Sequence, residues 1–420
     1  MAPPSHSATT AEAPPSEHVL ALATELAATF AAAAHDVDES GRFPADNVRL
    51  LRESGLLGTL VPTEYGGLGQ GLPQLVTIAG TLGAGCASTA MIWAMHCQQV
   101  ATLVRHGSKE LRAEALPRIA AGDCLLASIT TEAGKGGHLL SALSPLQAAD
   151  GHRLGVERDA PVVTGGMEAD AYLITMRTAA DRPANDVSLA YVPTTDADVA
   201  FRSGWQTLGM RGTASVGVRL TAQIDPSQLI NGPGGFRPVA VETMIPVGHL
   251  AWAAVWLGTA RGAFRFVVDL LRNPKTRGAW RESDLAAERL ARVRLQLDTL
   301  SAYLWTCLAE YQDLLDDEQA GPGRFGATAF QLHVNNLKVL ASETSFQAVD
   351  DLITIAGLRH GYVRSPAHPL ERAFRDLRAA ALMYSNDRLM TANGRLALLD
   401  RTVELAGARP GQADRSAAWR

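Results

Sequence analysis

The stretch Glu371-Arg-Ala-Phe-Arg-Asp-Leu-Arg-Ala-Ala-Ala-Leu-Met-Tyr-Ser-Asn-Asp387 carries the most information in this 420-residue chain. It begins with two charged dipeptides and ends with the hydroxyl of Tyr384 and the carboxylate of Asp387. On a continuous helix, Asp387 follows Tyr384 by one turn, so both side chains are candidates for acid–base chemistry. The stretch lies in the last of four helical periods, which are predicted at 238–272, 283–317, 324–356 and 369–404.

Helical periodicity also dominates the first part of the chain, whereas the middle reads as β structure. Apolar residues recur every three or four positions over 17–38, and Ser108 is a plausible N-cap for a further helix. Between these helical regions lie short, β-branched, alternating segments at 162–164, 171–176, 187–192 and 216–221. We therefore expect an α+β fold with the following divisions: a tail over 1–16, a helical domain over 17–122, a β domain over 123–235, a helical domain over 236–404 and a tail over 405–420.

Composition excludes several classes of protein. The net charge of −5 gives no basic surface for nucleic acid, and no uninterrupted apolar run approaches the ~20 residues of a spanning helix. The four cysteines form no Cys-x-x-Cys pair and no zinc spacing with histidine, so we expect free thiols, no metal site and a cytoplasmic location. With 47% hydrophobic residues, the chain is able to bury substantial cores.

Three segments resemble signatures of the acyl-CoA dehydrogenase superfamily, and the likeness spans roughly residues 40 to 395. They are Val61-Pro-Thr-Glu-Tyr-Gly-Gly-Leu-Gly69, Leu208-Gly-Met-Arg-Gly-Thr213, and Glu371-Arg372 followed by Arg375-Asp376. The resemblance implies an N-terminal helical domain, a middle antiparallel β domain and a C-terminal four-helix bundle. It also implies a homotetramer in which a neighbouring subunit helps to complete each cofactor site.

The same resemblance implies FAD as cofactor. Ser128-Ile-Thr-Thr-Glu-Ala-Gly-Lys-Gly-Gly-His138 falls where the family holds its flavin, and its glycines suit a nest of backbone N–H groups around an anion. The cofactor-binding residues so implied are Ser128, Thr130, Thr131, Gly136, Gly137, Val163 and Thr164, with Arg277 and Gly357 at the dinucleotide end.

The family's catalytic glutamate is absent, because its position is occupied by Tyr384. At a reference pKa near 10, about one tyrosine in a thousand is ionised at neutral pH, a handicap of roughly 4 kcal/mol for a base. Asp387 and His96 are the other candidate catalytic residues. The resemblance implies that the substrate pocket includes Trp93, Met244, Gly248, His249 and Met383.

These features predict a flavin-dependent oxidoreductase, with α,β-dehydrogenation of an acyl thioester as the leading reaction. The thioester is carried by coenzyme A or by an acyl carrier protein, and electrons leave to an electron-transfer flavoprotein. The first alternative is a two-component flavin monooxygenase that receives reduced flavin from a reductase and hydroxylates an amine, indole or thioester-bound substrate with O₂. A flavin-binding scaffold without activity is the third possibility.

Overall fold

The N-terminal domain consists of helices, as the periodicity predicts. A computed structural model describes residues 16–202, 204–275, 283–317, 319, 321, 323–401 and 403–405. The helix α5 begins after Ser108, whose Oγ accepts a hydrogen bond from the N–H of Leu111 at 3.1 Å, so the predicted cap is present. The helices of this domain are α1 (Ser16–Ser40), α2 (Ala45–Glu53), α3 (Leu72–Gly85), α4 (Ala87–His106) and α5 (Lys109–Ala120).

The middle domain contains two four-stranded sheets, in the orders β1-β4-β5-β8 and β2-β3-β7-β6. All pairs are antiparallel except β1 with β4, which run parallel. The strands are β1 (Leu126–Ile129), β2 (Gln147–Ala148), β3 (Leu154–Ala160), β4 (Ala171–Arg177), β5 (Val187–Pro193), β6 (Ala197–Phe201), β7 (Val218–Ile224) and β8 (Leu229–Ile230).

The prediction of a strand at 162–164 is wrong. Val163 is buried in the β-domain core, but its N–H makes one isolated hydrogen bond to the carbonyl of Val216, at 3.0 Å. Gly165, at a φ of +62°, then turns the chain. Of the two valines there, Val163 belongs to the core and Val162 is exposed, so their β-branched side chains did not indicate a strand.

The C-terminal domain is built around α7, which is buried along most of its length. Its helices are α6 (Phe236–Val239), α7 (Ile245–Arg272), α8 (Asp284–Asp316), α9 (Thr328–Gly357), α10 (Leu370–Arg378) and α11 (Asn386–Ala397). Between α6 and α7, a single wide π-helical turn covers Ala240–Met244, and Pro246 follows in the first turn of α7. The first predicted helix, 238–272, is therefore helical throughout but begins with a short α-helix and a π-helical turn before the long helix α7.

The last predicted helix, 369–404, is broken in two between Arg378 and Asn386. In a continuous helix the carbonyl of Ala380 would accept the N–H of Tyr384. Instead it accepts a hydrogen bond from Nζ of Lys338 on α9, at 2.9 Å, and Tyr384 adopts a left-handed backbone with a φ of +52°. The break ends the helical relation between Tyr384 and Asp387 on which the sequence prediction relied.

The first half of the quoted stretch joins the three domains. Arg375 on α10 binds the carboxylate of Asp38 on α1, with N–O distances of 2.5 and 2.9 Å, and donates to the carbonyl of Leu208 in the β domain at 3.0 Å. Asp376 accepts the backbone N–H of Met210 at 2.5 Å. A methyl group at Gly209 would lie 2.0 Å from the carbonyl oxygen of Arg375, so only glycine permits this approach.

Among the residues that the structure describes, one helix has the length and composition of a membrane span. The segment Phe236–Arg272 has a window of mean hydropathy 1.3, and 83% of that window is buried inside the protein. Glycines allow α3 to approach it, since a methyl group at Gly258 would lie 2.0 Å from the carbonyl oxygen of Gly80. Such burial is typical of the core helix of a helical domain, and length and composition alone are weak evidence for a span.

Candidate active site

A small cavity lies where β1, α4, α7 and the break before α11 meet. Its volume is about 70 Å³, which suits the reacting group of a substrate rather than a whole flavin. No carboxylate lines it among the described residues. The lining residues are Met95, Gln98, Ser128, Thr130, Leu139, Met244, Ile245, His249, Trp252 and Tyr384.

Tyr384 reaches the cavity because the helix breaks beneath it. Its ring centroid lies 5.7 Å from that of His249, at an interplanar angle of 56°. Burial raises the pKa of the Tyr384 phenol above its usual value, and the positive charge of Arg388 opposes part of that rise. The phenol is therefore neutral at physiological pH and serves as a hydrogen-bond donor.

His249 is a neutral imidazole. Burial lowers its pKa to about 3; the hydrogen bond to Val334 opposes part of that change, and the positive charge of Lys338 adds a smaller lowering. Its Nδ1 lies 3.0 Å from the carbonyl oxygen of Val334, an acceptor only, so the proton of the neutral ring sits on Nδ1. Nε2 is then an acceptor on a residue that lines the cavity.

Trp252 adds a donor without an acceptor. Its indole Nε1 is buried and has no hydrogen-bond partner in the described part of the chain, and its ring centroid lies 5.6 Å from that of His249. A buried indole N–H normally finds a partner. The cavity thus holds two neutral donors, Tyr384 and Trp252, beside one neutral acceptor, His249.

A buried lysine holds the segment that carries Tyr384. Besides the carbonyl of Ala380, Nζ of Lys338 donates to Oδ1 of Asn386 at 2.7 Å, so it binds both ends of the break. Asn386 in turn donates to Glu343 at 3.0 Å. Burial lowers the pKa of Lys338 to about 7, with the charge of Glu343 acting against that change. Lys338 therefore determines where the second half of the stretch lies.

The glycine-rich loop after β1 begins beside the cavity. Gly134, Gly136 and Gly137 have φ values of +78°, +68° and +78°, and the N–H groups of the last two make no hydrogen bond within the described residues. Glu132 anchors the loop: its carboxylate pairs with Arg158 at 2.7 Å and accepts two backbone N–H groups from the chain that follows. Glu132 holds the start of the loop in place, and the backbone N–H groups of Gly136 and Gly137 are left without partners among the described residues. Such an arrangement is suited to binding an anion.

The predicted cofactor residues fall into two groups. Ser128 and Thr130 line the cavity, and Gly136 and Gly137 form the open part of the loop. Thr131 and Thr164 instead bond within the protein: Thr131 donates to the carbonyl of Val162 at 2.7 Å, and Thr164 accepts from Ser215 at 3.0 Å. Val163 packs in the β core, as described above. Of the predicted residues, Ser128, Thr130, Gly136 and Gly137 therefore lie in positions that still suit contact with a flavin.

The structure argues against catalysis by His96 and against a pocket role for Trp93. His96 is fully buried, its Nδ1 accepts the N–H of Leu126 at 2.9 Å, and its Nε2 lies 3.0 Å from the carbonyl of Leu57. Both nitrogens are engaged, and burial lowers its pKa to about 4. Trp93 donates to the carbonyl of Leu56 in the N-terminal core at 2.9 Å. Both side chains fasten α4 to the loop that follows α2.

Four other predicted residues lie outside the cavity lining. Asp387 is exposed on α11, because the helix break turns it away from Tyr384. Gly248 packs against α4, where a methyl group would lie 2.2 Å from Nε2 of Gln98, and Met383 packs against the main core. Gly357 ends α9 at a φ of +69°. Arg277 lies outside the described residues.

Sequence reasoning missed four residues of the site. Gln98 lines the cavity and donates to the carbonyl of Met244 at 2.6 Å, and Trp252 and Lys338 act as described. Arg388 on α11 reaches the glycine loop, where a methyl group at Gly137 would lie 2.9 Å from its Nη1. The only local signal for Arg388 was its place four residues after Tyr384.

Comparison with known proteins agrees with this architecture. Residues 16–123 match the acyl-CoA dehydrogenase N-terminal domain, and residues 250–387 match the acyl-CoA dehydrogenase C-terminal domain. The chain is 24% identical over 356 residues to a cyclohex-1-ene-1-carbonyl-CoA dehydrogenase of Geobacter metallireducens, covering 84% of this chain and 90% of that protein. It is 27% identical over 392 residues to an L-evernosamine nitrososynthase of a Micromonospora species, covering 88% and 87%.

Among solved structures, FMN-bound TdsC from Paenibacillus sp. A11-2 superposes with a TM-score of 0.81 at 22% identity, covering 92% of this chain and 98% of that one. The chain belongs to the acyl-CoA dehydrogenase family. It is a flavin-dependent oxidoreductase of that family.

The residues of the cavity and of the adjoining glycine-rich loop fit a flavin. Trp252 offers a buried N–H without an acceptor, Ser128 and Thr130 present hydroxyls, and the glycine loop presents open N–H groups. When bound, a flavin supplies the electron transfer and, in its reduced form, the reaction with O₂. Ser128, Thr130, Gly136 and Gly137 are the residues that would hold it.

Proposed function

We propose that this protein is a flavin-dependent monooxygenase that transfers an oxygen atom from O₂ to a neutral substrate. The absence of a carboxylate from the described cavity lining carries the proposal. Removing an α-proton from a thioester requires a base, and a general base typically supplies ~10²–10⁴ in rate. Burial raises the pKa of Tyr384 and lowers that of His249, which disfavours the anion of the first and the cation of the second.

The cavity residues suit a neutral amine or indole. An amine that is oxidised at nitrogen must keep its lone pair, and His249, with a pKa of about 3, accepts an N–H without donating a proton. Tyr384 and Trp252 donate hydrogen bonds to the oxygen that is transferred or to a polar group of the substrate. Met95, Leu139, Met244 and Ile245 exclude water from the remaining surface.

The alternative is dehydrogenation of an acyl thioester carried by coenzyme A or an acyl carrier protein, with an electron-transfer flavoprotein as acceptor. The similarity to the Geobacter metallireducens dehydrogenase favours it. It requires Tyr384 to act as an anion against a pKa that burial raises. The nitrososynthase relative, at comparable identity and coverage, favours the oxygenase instead.

The experiment uses the flavin itself as reporter. Under anaerobic conditions, we expect a panel of acyl-CoA thioesters to leave the oxidised flavin unbleached, whereas chemically reduced flavin with an amine or indole panel consumes O₂ and yields product. Tyr384→Phe should increase hydrogen peroxide release per O₂ consumed, because it removes one donor. Tyr65→Phe, at a partly buried tyrosine outside the cavity lining, is the matched control. Anaerobic bleaching of the wild type by any thioester contradicts the proposal.

Cofactor form, partners and location remain proposals as well. FAD was the expectation, and FMN is its rival because TdsC is described with FMN. A flavin reductase is the partner that the oxygenase requires. We propose a homotetramer, since Leu358, Tyr362 and Val363 are more than half exposed at the end of α9, and sedimentation at micromolar concentration tests it. Four free, buried cysteines support a cytoplasmic location.

A further inference from the structure

The π-helical turn Ala240–Met244 forms part of the cavity wall. At its end the N–H of Ile245 donates to the carbonyl of Ala240, five residues back, whereas an α-helix bonds four residues back. Met244 and Ile245, where the turn meets α7, both line the cavity. Single π-helical turns are rare and are frequently found at functional sites. The shape of this turn therefore determines where two of the apolar side chains of the cavity lie.

Pro246 deprives the turn of one hydrogen bond, and a tyrosine from another helix replaces it. In a regular helix the carbonyl of Glu242 would accept the N–H of residue 246, but proline has none. The hydroxyl of Tyr311 on α8 donates to this carbonyl instead, at 2.7 Å. Tyr311 is fully buried, and its ring stacks on that of Phe330 with the centroids 5.8 Å apart, so the hydroxyl is held in place.

Two side chains of α4 bond the next two residues of the turn. Nε2 of His106 lies 2.8 Å from Oγ1 of Thr243, and Nε2 of Gln98 donates to the carbonyl of Met244 at 2.6 Å. Gln98 fits there because residue 248 is glycine, at which a methyl group would lie 2.2 Å from Nε2 of Gln98. The last three residues of the turn are thus each bonded by a side chain of a neighbouring helix.

We infer that Tyr311 is a positioning residue that sets, through the carbonyl of Glu242, the size of the substrate group that the cavity admits. Tyr311 lies outside the cavity lining and acts on Met244 and Ile245 only through the turn that carries them. Without its hydroxyl, the carbonyl of Glu242 has no donor to replace the missing N–H of residue 246, so the turn is free to shift and the wall yields. The substrate so defined is a neutral amine or indole without an alkyl branch on the side of Met244 and Ile245. The inference rests on the proposed function, and the experiment distinguishes the failure of one from the failure of the other.

The experiment measures the Kd of indole and of its monomethyl and monoethyl derivatives by titration calorimetry with the flavin-loaded protein. Tyr311→Phe removes the hydroxyl and keeps the stacked ring. Tyr303→Phe is the matched control, because Tyr303 also lies on α8 but its hydroxyl donates to the carbonyl of His333 on α9, at 3.4 Å. In the wild type we expect each added carbon to raise the Kd ~10-fold or more, as is usual for a tightly fitting apolar pocket. In Tyr311→Phe this increase should fall by ~10-fold, whereas Tyr303→Phe should follow the wild type.

A second pair of variants tests whether the carbonyl of Glu242 transmits the effect. Pro246→Ala restores an N–H at position 246 and gives this carbonyl a partner within its own helix. In that background Tyr311→Phe should change the selectivity among the three indoles by less than ~2-fold, because the carbonyl no longer depends on the hydroxyl. Amide hydrogen exchange of the peptide 240–249 reports on the turn without any ligand, and it should become faster in Tyr311→Phe than in Tyr303→Phe.

Three outcomes overturn the inference. Unchanged selectivity in Tyr311→Phe would mean that the turn keeps its shape without the hydroxyl. A change of the same size in Tyr303→Phe, or in the Pro246→Ala background, would mean that Tyr311 supports the fold rather than this carbonyl. Unchanged hydrogen exchange over 240–249 would exclude loosening of the turn. Absence of indole binding by the wild type would instead refute indoles as substrates under the proposed function, and hydrogen exchange alone would then decide whether Tyr311 holds the turn.

Discussion

Replacing Lys338 with methionine should destabilise the protein by an amount that depends on pH. Methionine keeps the length of the side chain but leaves the carbonyl of Ala380 and Oδ1 of Asn386 without their donor. Each lost hydrogen bond in a buried site costs ~1–3 kcal/mol. Against this, the wild type pays for keeping an ammonium group in a fully buried position, above the ring of Trp256.

The sign follows from the direction of the pKa change. The pKa of Lys338 falls from 10.5 in the unfolded chain to about 7 in the folded protein, so between these values the unfolded chain binds more protons. The stability of the wild type therefore rises as pH rises from 7 towards 10.5, and the full penalty, about 5 kcal/mol at ~1.4 kcal/mol per unit, applies below pH 7. Between pH 6 and pH 9 the contribution changes by roughly 2–3 kcal/mol.

Urea unfolding, followed by tryptophan fluorescence at several pH values from 6 to 9, measures the difference between the variant and the wild type. We expect the destabilisation by Lys338→Met to be largest at pH 9 and to shrink by roughly 2–3 kcal/mol at pH 6. Lys109→Met, at an exposed lysine, controls for loss of charge alone and should show no such trend. A destabilisation that is the same at every pH would refute the reasoning, because Lys338 would then keep its proton affinity on folding.

Two further predictions concern the junction between α10 and the β domain. Burial raises the pKa of Asp376 to about 6, so the folded protein loses stability relative to the unfolded chain as pH rises from about 4 to 6. Asp376→Asn keeps an acceptor for the N–H of Met210 and does not titrate. In the same unfolding assay, its stability relative to the wild type should therefore increase by roughly 3 kcal/mol between pH 4 and pH 7. Unchanged relative stability across that range would contradict it. Gly209→Ala should lower the thermal midpoint strongly, since its methyl group would lie 2.0 Å from the carbonyl oxygen of Arg375. Gly394→Ala has open space around it inside α11 and should raise the free energy of unfolding by ~0.5–1 kcal/mol. Equal midpoints for the two variants would exclude the close approach.

Local signals predicted the helices well, because their periodicity and caps lie within a few residues of each other. Ser108 is an example: its capping hydrogen bond involves Leu111, three positions away. The break at Tyr384 was not predictable in this way. Ala379-Ala380-Ala381 favours a helix by propensity, and the helix stops there because Lys338, more than forty residues earlier, takes the carbonyl of Ala380.

The site divides along the same line. The glycine loop was found because a nest is a local sequence feature, and Tyr384 and His249 were found through the family resemblance. His96 was misassigned because the backbone groups that engage it belong to Leu57 and Leu126, which no local pattern connects to it. Trp252 was missed because its significance depends on the acceptor that its buried N–H lacks within the described residues, and that is visible only once the chain is folded.

The two halves of the stretch from Glu371 to Asp387 do different work, and the break between them separates that work. The first half is a mechanical joint: Arg375 and Asp376 couple the three domains without touching the cavity. The second half carries the side chain that faces the cavity, on a backbone set by Lys338. A lineage can therefore exchange the residue at Tyr384, and with it the reaction, while the joint that makes the fold recognisable stays as it is. The residues that join the domains and the residue that faces the cavity are thus separated by the seven-residue break from Ala379 to Ser385, so one can change without the other.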